Sequence, residues 1–239
     1  MDDDLSNFVK CDIFTPDNIS KLMASKLKTS GNLLEPAVGN GKLLKYLCLK
    51  SYNEIDVYEL KPEYIDEIEN RTNLNKHTMD FIKATIKTTY DNVIMNPPYI
   101  KTQDLSISYR KYLKDNFPIL SNGTIDIYYA FIIKCLSLLN SDGIMVAITP
   151  NSYLYNKSSL PLRKYLFDNQ LIKEIIDFKD KKVFSNASVY CCITIFSKCS
   201  KSLLIYNDKE YVYTDLIKNY SLFNVSDSSC KTLNEIRKI

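Results

Sequence analysis

The sequence predicts an α/β fold on a largely parallel sheet, and three observations carry this. Strand-like and helix-like segments alternate through about residue 170 of the 239-residue chain, the pattern of successive strand–helix–strand units. The first strand runs into a turn, Gly39-Asn40-Gly41, that opens a helical pattern; an open α/β sheet takes ligands at such strand ends. The last two core strands, 171–178 and 188–196, are joined without a helix, so they form an antiparallel hairpin closing the parallel series.

Residues 1–14 read as irregular. Thr15 suits a helix N-cap and Pro16 the first helical position. Ile19, Leu22, Met23 and Leu27 then fall on one helical face. The first strand, 32–35, leads through Pro36-Ala37-Val38 into the glycine turn, and 42–50 reads as a helix with Leu43, Leu44 and Leu47 inward. Two of only five glycines sit in that turn, where positive φ and close approach of a ligand need no Cβ. A dinucleotide fingerprint would need a third glycine at position 44, which is leucine, so nicotinamide dinucleotide is disfavoured. The second strand, 55–60, ends at Glu59-Leu60, about 20 residues past the turn. An acid there is placed for a ribose diol, and in isolation is equally a solvated strand-end carboxylate. A helix from Lys61-Pro62, a weak third strand ending at Met79-Asp80-Phe81 and a fourth strand at 90–95 follow.

The fourth strand delivers Asn96-Pro97-Pro98-Tyr99. Two prolines end any regular element, so an amide is held at a strand tip with an aromatic ring close by. An amide oxygen and a nearby carbonyl accept hydrogen bonds from a planar amino group, and the ring stacks on its base. Alone, the tetrapeptide is equally a proline-rich surface turn. Residues 100–122 are polar with helical fragments and read as a lid or active-site loop. A strongly apolar helix, 126–139, is mostly core, and Asp142-Gly143 ends it. A fifth strand at 144–149, a helix at 160–167, the hairpin and its basic connection Lys179-Asp180-Lys181-Lys182-Val183-Phe184 complete the core pattern. A second hairpin, 203–206 with 211–213, then a polar stretch at 226–229 and a basic fragment at 232–239, form no evident second core.

Composition bounds the function. With 45% hydrophobic and 25% charged residues, the chain reads as one large globular domain, or one with a short appendage. A net charge of +3 neither demands nor resists nucleic acid. Seven cysteines, an odd number without a CxxC pair, and a single histidine, His77, disfavour structural zinc and point to a reducing, intracellular compartment. One histidine, in what reads as a helix-to-strand link, gives His-based hydrolysis little support. Met1-Asp2-Asp3-Asp4 is the opposite of a signal peptide, and no apolar run reaches membrane-spanning length.

Taken together, the ordered motifs resemble the gamma-order N6-adenine DNA methyltransferases, amino-methylating enzymes with an Asn-Pro-Pro-Tyr motif. The resemblance covers residues 14–198 and rests on Thr15-Pro16, Leu34-Glu35-Pro36-Ala37-Val38-Gly39-Asn40-Gly41, Glu59, Asp80-Phe81, Asn96-Pro97-Pro98-Tyr99, Asp126-Ile127-Tyr128 with Phe131, Pro150-Asn151-Ser152-Tyr153-Leu154 and Val183-Phe184. It implies a Rossmann-like S-adenosylmethionine-dependent methyltransferase fold: a seven-stranded, mostly parallel sheet, its last strand antiparallel between the fifth and sixth, with helices on both faces. It implies S-adenosyl-L-methionine as cofactor, held by Thr15, Glu35, Ala37, Gly39, Gly41, Glu59, Leu60, Asp80 and Phe81. It also implies that Asn96 and the Pro97 carbonyl accept the amino protons of a flipped-out adenine, which attacks the sulfonium methyl directly, without metal. Tyr99 and Phe184 stack on the base in this reading, although Phe184 could equally plug the core under the basic loop.

Double-stranded DNA is the expected partner, with Lys101, Arg110, Lys111, Lys179, Lys181 and Lys182 available to phosphates. The expected division is a catalytic domain at 1–199 and an appendage at 200–239, whose last residues resemble the start of a target-recognition domain. A truncated or split chain, a recognition subunit supplied by a partner, and a minimal enzyme of low specificity are all open. So are related chemistries on protein glutamine or on an RNA guanine, and a non-catalytic subunit, although intact motifs count against the last.

Overall fold

The computed structural model describes residues 13–120, 126–184, 189–199, 202–222 and 230–232. Helix α1 (Asp17–Ala24) precedes β1 (Gly31–Glu35), followed by β2 (Tyr52–Glu59), α2 (Pro62–Glu67), β3 (Leu74–Thr78) and β4 (Tyr90–Met95). Strand β1 pairs with β2 and β4, and β2 with β3, all in parallel. Helices α3 (Ile107–Asn116) and α4 (Tyr128–Leu138), β5 (Leu139–Pro150), α5 (Leu160–Asp168), β6 (Ile172–Lys182) and β7 (Tyr190–Ser197) follow. Strand β5 joins β4 in parallel, and β7 lies antiparallel between β5 and β6. This is the expected seven-stranded arrangement.

Three further strands extend it. They are β8 (Leu203–Tyr206), β9 (Lys209–Val212) and β10 (Cys230–Thr232), with α6 (Tyr213–Asn219) after β9. The sheet order is β3-β2-β1-β4-β5-β7-β6-β8-β9-β10. The seven-stranded unit leaves one edge of β6 unpaired, and β8 covers it in parallel, satisfying backbone groups an exposed edge would leave open. Leu204, Tyr213 and Leu216 are buried in the same core as Phe167 of α5.

The central strands are apolar on both faces because helices cover both. Neighbouring residues divide between two cores: Leu34, Val93, Met145 and Ala147 face one, and Leu33, Ile94, Val146 and Ile148 the other. This period of two sorts the side chains between the faces, while the parallel pairing brings the C-terminal ends of β1, β2, β3 and β4 to one edge.

Several local expectations change. Residues 42–50 form two 3₁₀ turns, Leu44–Tyr46 and Leu49–Ser51, separated by an extended Leu47. Asp142-Gly143 lies inside the long β5, across a register shift in its pairing with β4. The N-cap of α1 is Pro16, whose carbonyl accepts from Ile19 and Ser20 N–H; Thr15 is left for another task. His77 lies within β3, stacked on Tyr58 at 4.5 Å and 2.9 Å from the buried Asp56 carboxylate, which also accepts from Tyr90. The polar stretch 226–229 and all of the basic fragment except Thr232 lie outside the described residues. Cys48, Cys135, Cys191, Cys192 and Cys199 are free thiols, and no described helix is long and apolar enough to cross a membrane.

Candidate active site

A cavity of about 240 Å³ opens where β1, β2, β3 and β4 end. Of the residues singled out in the sequence, Thr15, Glu35, Ala37, Gly39, Glu59, Leu60, Asp80, Phe81, Asn96, Pro97 and Tyr99 line it. Gly41 does not; with φ +75 and its N–H bonded to Val38 O, it shapes the turn from behind. Phe184 is 3% exposed and packs in the core with residues such as Ile148 and Ile193, as a plug beneath the basic corner.

The Asn96 amide is oriented from both ends. Its Nδ2 donates to Ile13 O at 2.9 Å and to Thr15 Oγ1 at 3.1 Å. Those two acceptors settle which end of the amide is oxygen. Oδ1 accepts from the Tyr99 hydroxyl at 2.8 Å, which also lies 3.2 Å from Ile148 O. An amide oxygen has two lone pairs, so one remains for a ligand. Thr15 is therefore a side-chain partner of Asn96 from 81 residues away in sequence. The Tyr99 ring meets Tyr128 edge-on at 6.0 Å, and burial holds its phenol well above the usual range.

Three carboxylates divide the rest of the cavity. Glu59 binds the glycine turn: Oε2 accepts Gly39 N–H at 2.9 Å, and Oε1 accepts Leu60 and Lys61 N–H at 2.8 and 3.0 Å. Among the described residues, a lone pair of Oε2 stays uncommitted. Asp80 accepts Ile82 N–H at 2.9 Å and the Tyr109 hydroxyl at 2.8 Å. Burial raises its pKa, with the Tyr109 bond opposing. Phe81 is set between Phe131, stacked at 5.4 Å, and the edge of Tyr58 at 5.3 Å.

Glu35 is 1% exposed, and its Oε2 has no partner among the described residues. Burial, then the neighbouring Glu59, hold its pKa well above the ordinary glutamate range. Between the unfolded and folded values the native state binds the extra proton, so this carboxyl's contribution to stability falls as pH rises. Glu35→Gln removes the titration. The variant is expected to unfold at higher temperature than the parent above that window and to converge with it in acid, each pKa unit being worth about 1.4 kcal/mol. Thermal unfolding across a pH series checks this.

Sequence reasoning missed Phe14, Asn40, Lys61, Tyr64 and Asp104 as lining residues. Asn40 sits inside the glycine turn, which was its available signal, and its buried Oδ1 also lacks a partner among the described residues. Phe14 comes from the segment read as irregular; its ring meets Tyr64 edge-on at 5.6 Å. Two orphaned buried acceptors beside an uncommitted carboxylate lone pair call for a ligand rich in N–H and O–H donors. The ammonium and ribose hydroxyls of S-adenosylmethionine fit that requirement.

A family model described as Eco57I restriction-modification methylase matches residues 22–184. The chain is 31% identical over 220 residues to the type II methyltransferase M.HincII of Haemophilus influenzae, covering 90% of this chain and 40% of that protein. It is 27% identical over 259 residues to M.BanIII of Aneurinibacillus aneurinilyticus, covering 89% and 44%. The chain thus spans less than half the length of these relatives. Among solved structures, the methyltransferase subunit of a type I restriction-modification system from Streptococcus thermophilus superimposes with a TM-score of 0.67 at 20% identity, over 84% of this chain and 49% of that one. A class I S-adenosylmethionine-dependent methyltransferase fold from Listeria monocytogenes matches with a TM-score of 0.62 at 17% identity, over 90% and 75%.

Proposed function

We propose that this chain, which belongs to the Eco57I restriction-modification methylase family, carries the catalytic unit of a DNA methyltransferase that modifies adenine N6. The observation that supports this most is the Asn96 amide in the cavity wall, its Nδ2 held by Ile13 and Thr15 and its Oδ1 accepting one bond, from the Tyr99 hydroxyl. S-adenosylmethionine, when bound, supplies an activated methyl group. Glu35, Asn40 and the free lone pair of Glu59 would hold its donors, and Asp80 with Phe81 its base.

The chain's own task is to make a poor nucleophile reactive. An adenine amino group shares its lone pair with the ring. Asn96 Oδ1 and the Pro97 carbonyl, each accepting one N–H, draw that nitrogen toward tetrahedral geometry and localise the pair. The donors and acceptors are in place beforehand, so catalysis is positioning and electrostatics. The base must leave the duplex to reach the cavity, and Tyr99 offers a ring to stack on at ~1–3 kcal/mol per base. Stacking by Phe184 on the other side belongs to the same reading and requires it to leave its core position.

Duplex DNA is the proposed partner, and the proposed division is a catalytic unit at 1–199 with a short appendage at 200–239, whose described residues 202–222 continue the sheet and share its core. Between the pairs Asp177↔Cys192 and Lys182↔Tyr190, β6 spends five steps and β7 two. That bulge throws Lys179, Lys181 and Lys182 out at the same edge as Asn96, all of them exposed. Recognition of particular bases is assigned to a further domain or a partner subunit.

Supplying methyl-labelled S-adenosylmethionine with unmethylated DNA, RNA and protein tests the reading. Label is expected on DNA, as N6-methyladenine after digestion; label confined to protein or RNA overturns it. Replacing Lys179, Lys181 and Lys182 together by glutamate is expected to weaken DNA binding and to flatten its logarithmic salt dependence by about 2–3. Binding titrations over a salt series check this.

A further inference from the structure

Behind the Asp80-Phe81 pair lies a cation that no motif signals. Lys134 stands on α4, one turn after Phe131, and its ammonium donates to three backbone carbonyls: Phe81 O at 2.5 Å, Ile82 O at 3.0 Å and Ala84 O at 2.6 Å. An ammonium has three donors, and all three go to one four-residue turn. Nζ also lies 4.8 Å from the centre of the Phe81 ring, within cation–π range. The same ring stacks on Phe131, so α4 grips Phe81 through two side chains at i and i+3.

The turn is shaped for this cation. Asp80 O accepts from Lys83 and Ala84 N–H, and the Asp80 carboxylate accepts Ile82 N–H. The N–H groups of residues 82, 83 and 84 thus point back to Asp80, the last shared with Phe81 O at 3.3 Å, while the carbonyls of residues 81, 82 and 84 converge on Nζ. Three carbonyl dipoles aimed at one point repel one another unless a cation sits there. Burial pushes the Lys134 ammonium down to about 8, with the Asp80 carboxylate pulling the other way. A methionine of similar length would fill the space without that cost, but would leave Ala84 O without a partner among the described residues, and Phe81 O and Ile82 O with only the 3.3 Å contacts from Ala84 N–H and the Tyr112 hydroxyl.

We propose that Lys134 is a positioning residue for the cofactor: by gathering three carbonyls it sets the turn that presents Asp80 and Phe81 to the adenine end of S-adenosylmethionine. This rests on the proposed cofactor reading. Lysine suits the task better than arginine, because a compact charge with three rotatable donors satisfies convergent acceptors and a planar fork does not.

Calorimetric binding to the full chain tests it, with S-adenosylmethionine and 5′-methylthioadenosine, which keeps base and ribose but lacks the amino-acid end. Lys134→Met is expected to weaken both ligands by the same factor, about tenfold or more. Lys134→Arg is expected to fall between the variant and the parent. In turnover assays, KM for the cofactor rises in Lys134→Met while kcat at saturation changes little. Equal binding of both ligands by parent and Lys134→Met overturns the proposal. So does a loss confined to S-adenosylmethionine, which would place the effect at the amino-acid end. Should Lys134→Met not fold, Lys134→Arg carries the same comparison: unchanged affinity for both ligands overturns the proposal. A parent chain that binds neither ligand instead overturns the cofactor reading on which it rests.

Discussion

Asn96→Ala is expected to lower methyl transfer to DNA by at least about 10²–10³-fold, the loss that follows removal of one preorganised polar group at a reacting centre. Cofactor affinity is expected to stay close to that of the parent, because Asn96 touches Ile13, Thr15 and Tyr99 and leaves the glycine turn alone. Single-turnover transfer beside calorimetric cofactor binding separates the two. Loss of cofactor binding in that variant would make Asn96 a structural residue. Asn96→Asp is not expected to restore activity. The new oxygen would face Ile13 O and Thr15 Oγ1, replacing a donor with an acceptor. Tyr99→Phe leaves the amide end held by Ile13 and Thr15 intact, and is expected to cost much less than either change.

Glu59→Ala is expected to weaken S-adenosylmethionine binding by about a hundredfold, since hydrogen bonds to a charged group contribute ~1.5–3 kcal/mol each. Three backbone N–H groups lose their acceptor at once, and Gly39 loses the bond that fixes its turn. Glu59→Gln is expected to recover little. Both carboxylate oxygens accept from N–H groups, so whichever end carries the amide nitrogen sets donor against donor. Equilibrium binding of the cofactor by the two variants measures this, and a Gln variant with parental affinity would show that only the side-chain volume matters.

Much of the site was legible because its residues sit at strand tips. Gly39, Glu59, Asp80 and Asn96 each end or follow a short β-rich run, and neighbouring parallel strands end on one edge. No fold detail was needed to bring them together. Their individual tasks were harder to read. Thr15 looked like a helix cap because Thr-Pro is a frequent helix start, yet Pro16 caps α1 and the Thr15 hydroxyl serves Asn96. Glu59 looked like a ribose ligand, and the structure commits three of its lone pairs to its own backbone. Phe184 is buried at a position the resemblance places against the base. The 3₁₀ turns at residues 44–51 stand where the spacing of Leu43, Leu44 and Leu47 predicts a helix, because that spacing does not decide between α and 3₁₀ turns.

By itself, the sequence determined the fold class, the succession of strands along the chain through β7 and the edge on which the candidate site lies, while the place of β7 between β5 and β6 came from the resemblance. Hydrophobic period and turn residues act over a few positions, and those quantities follow from local rules repeated along the chain. Only the tertiary structure decided which way the Asn96 amide faces, which carboxyl is left without a partner, and that Lys134 lies under the turn after Asp80. Those outcomes depend on atoms 50 or more residues apart meeting within hydrogen-bond distance. No periodicity encodes such a meeting, because it is set by how the packed elements bring their ends together.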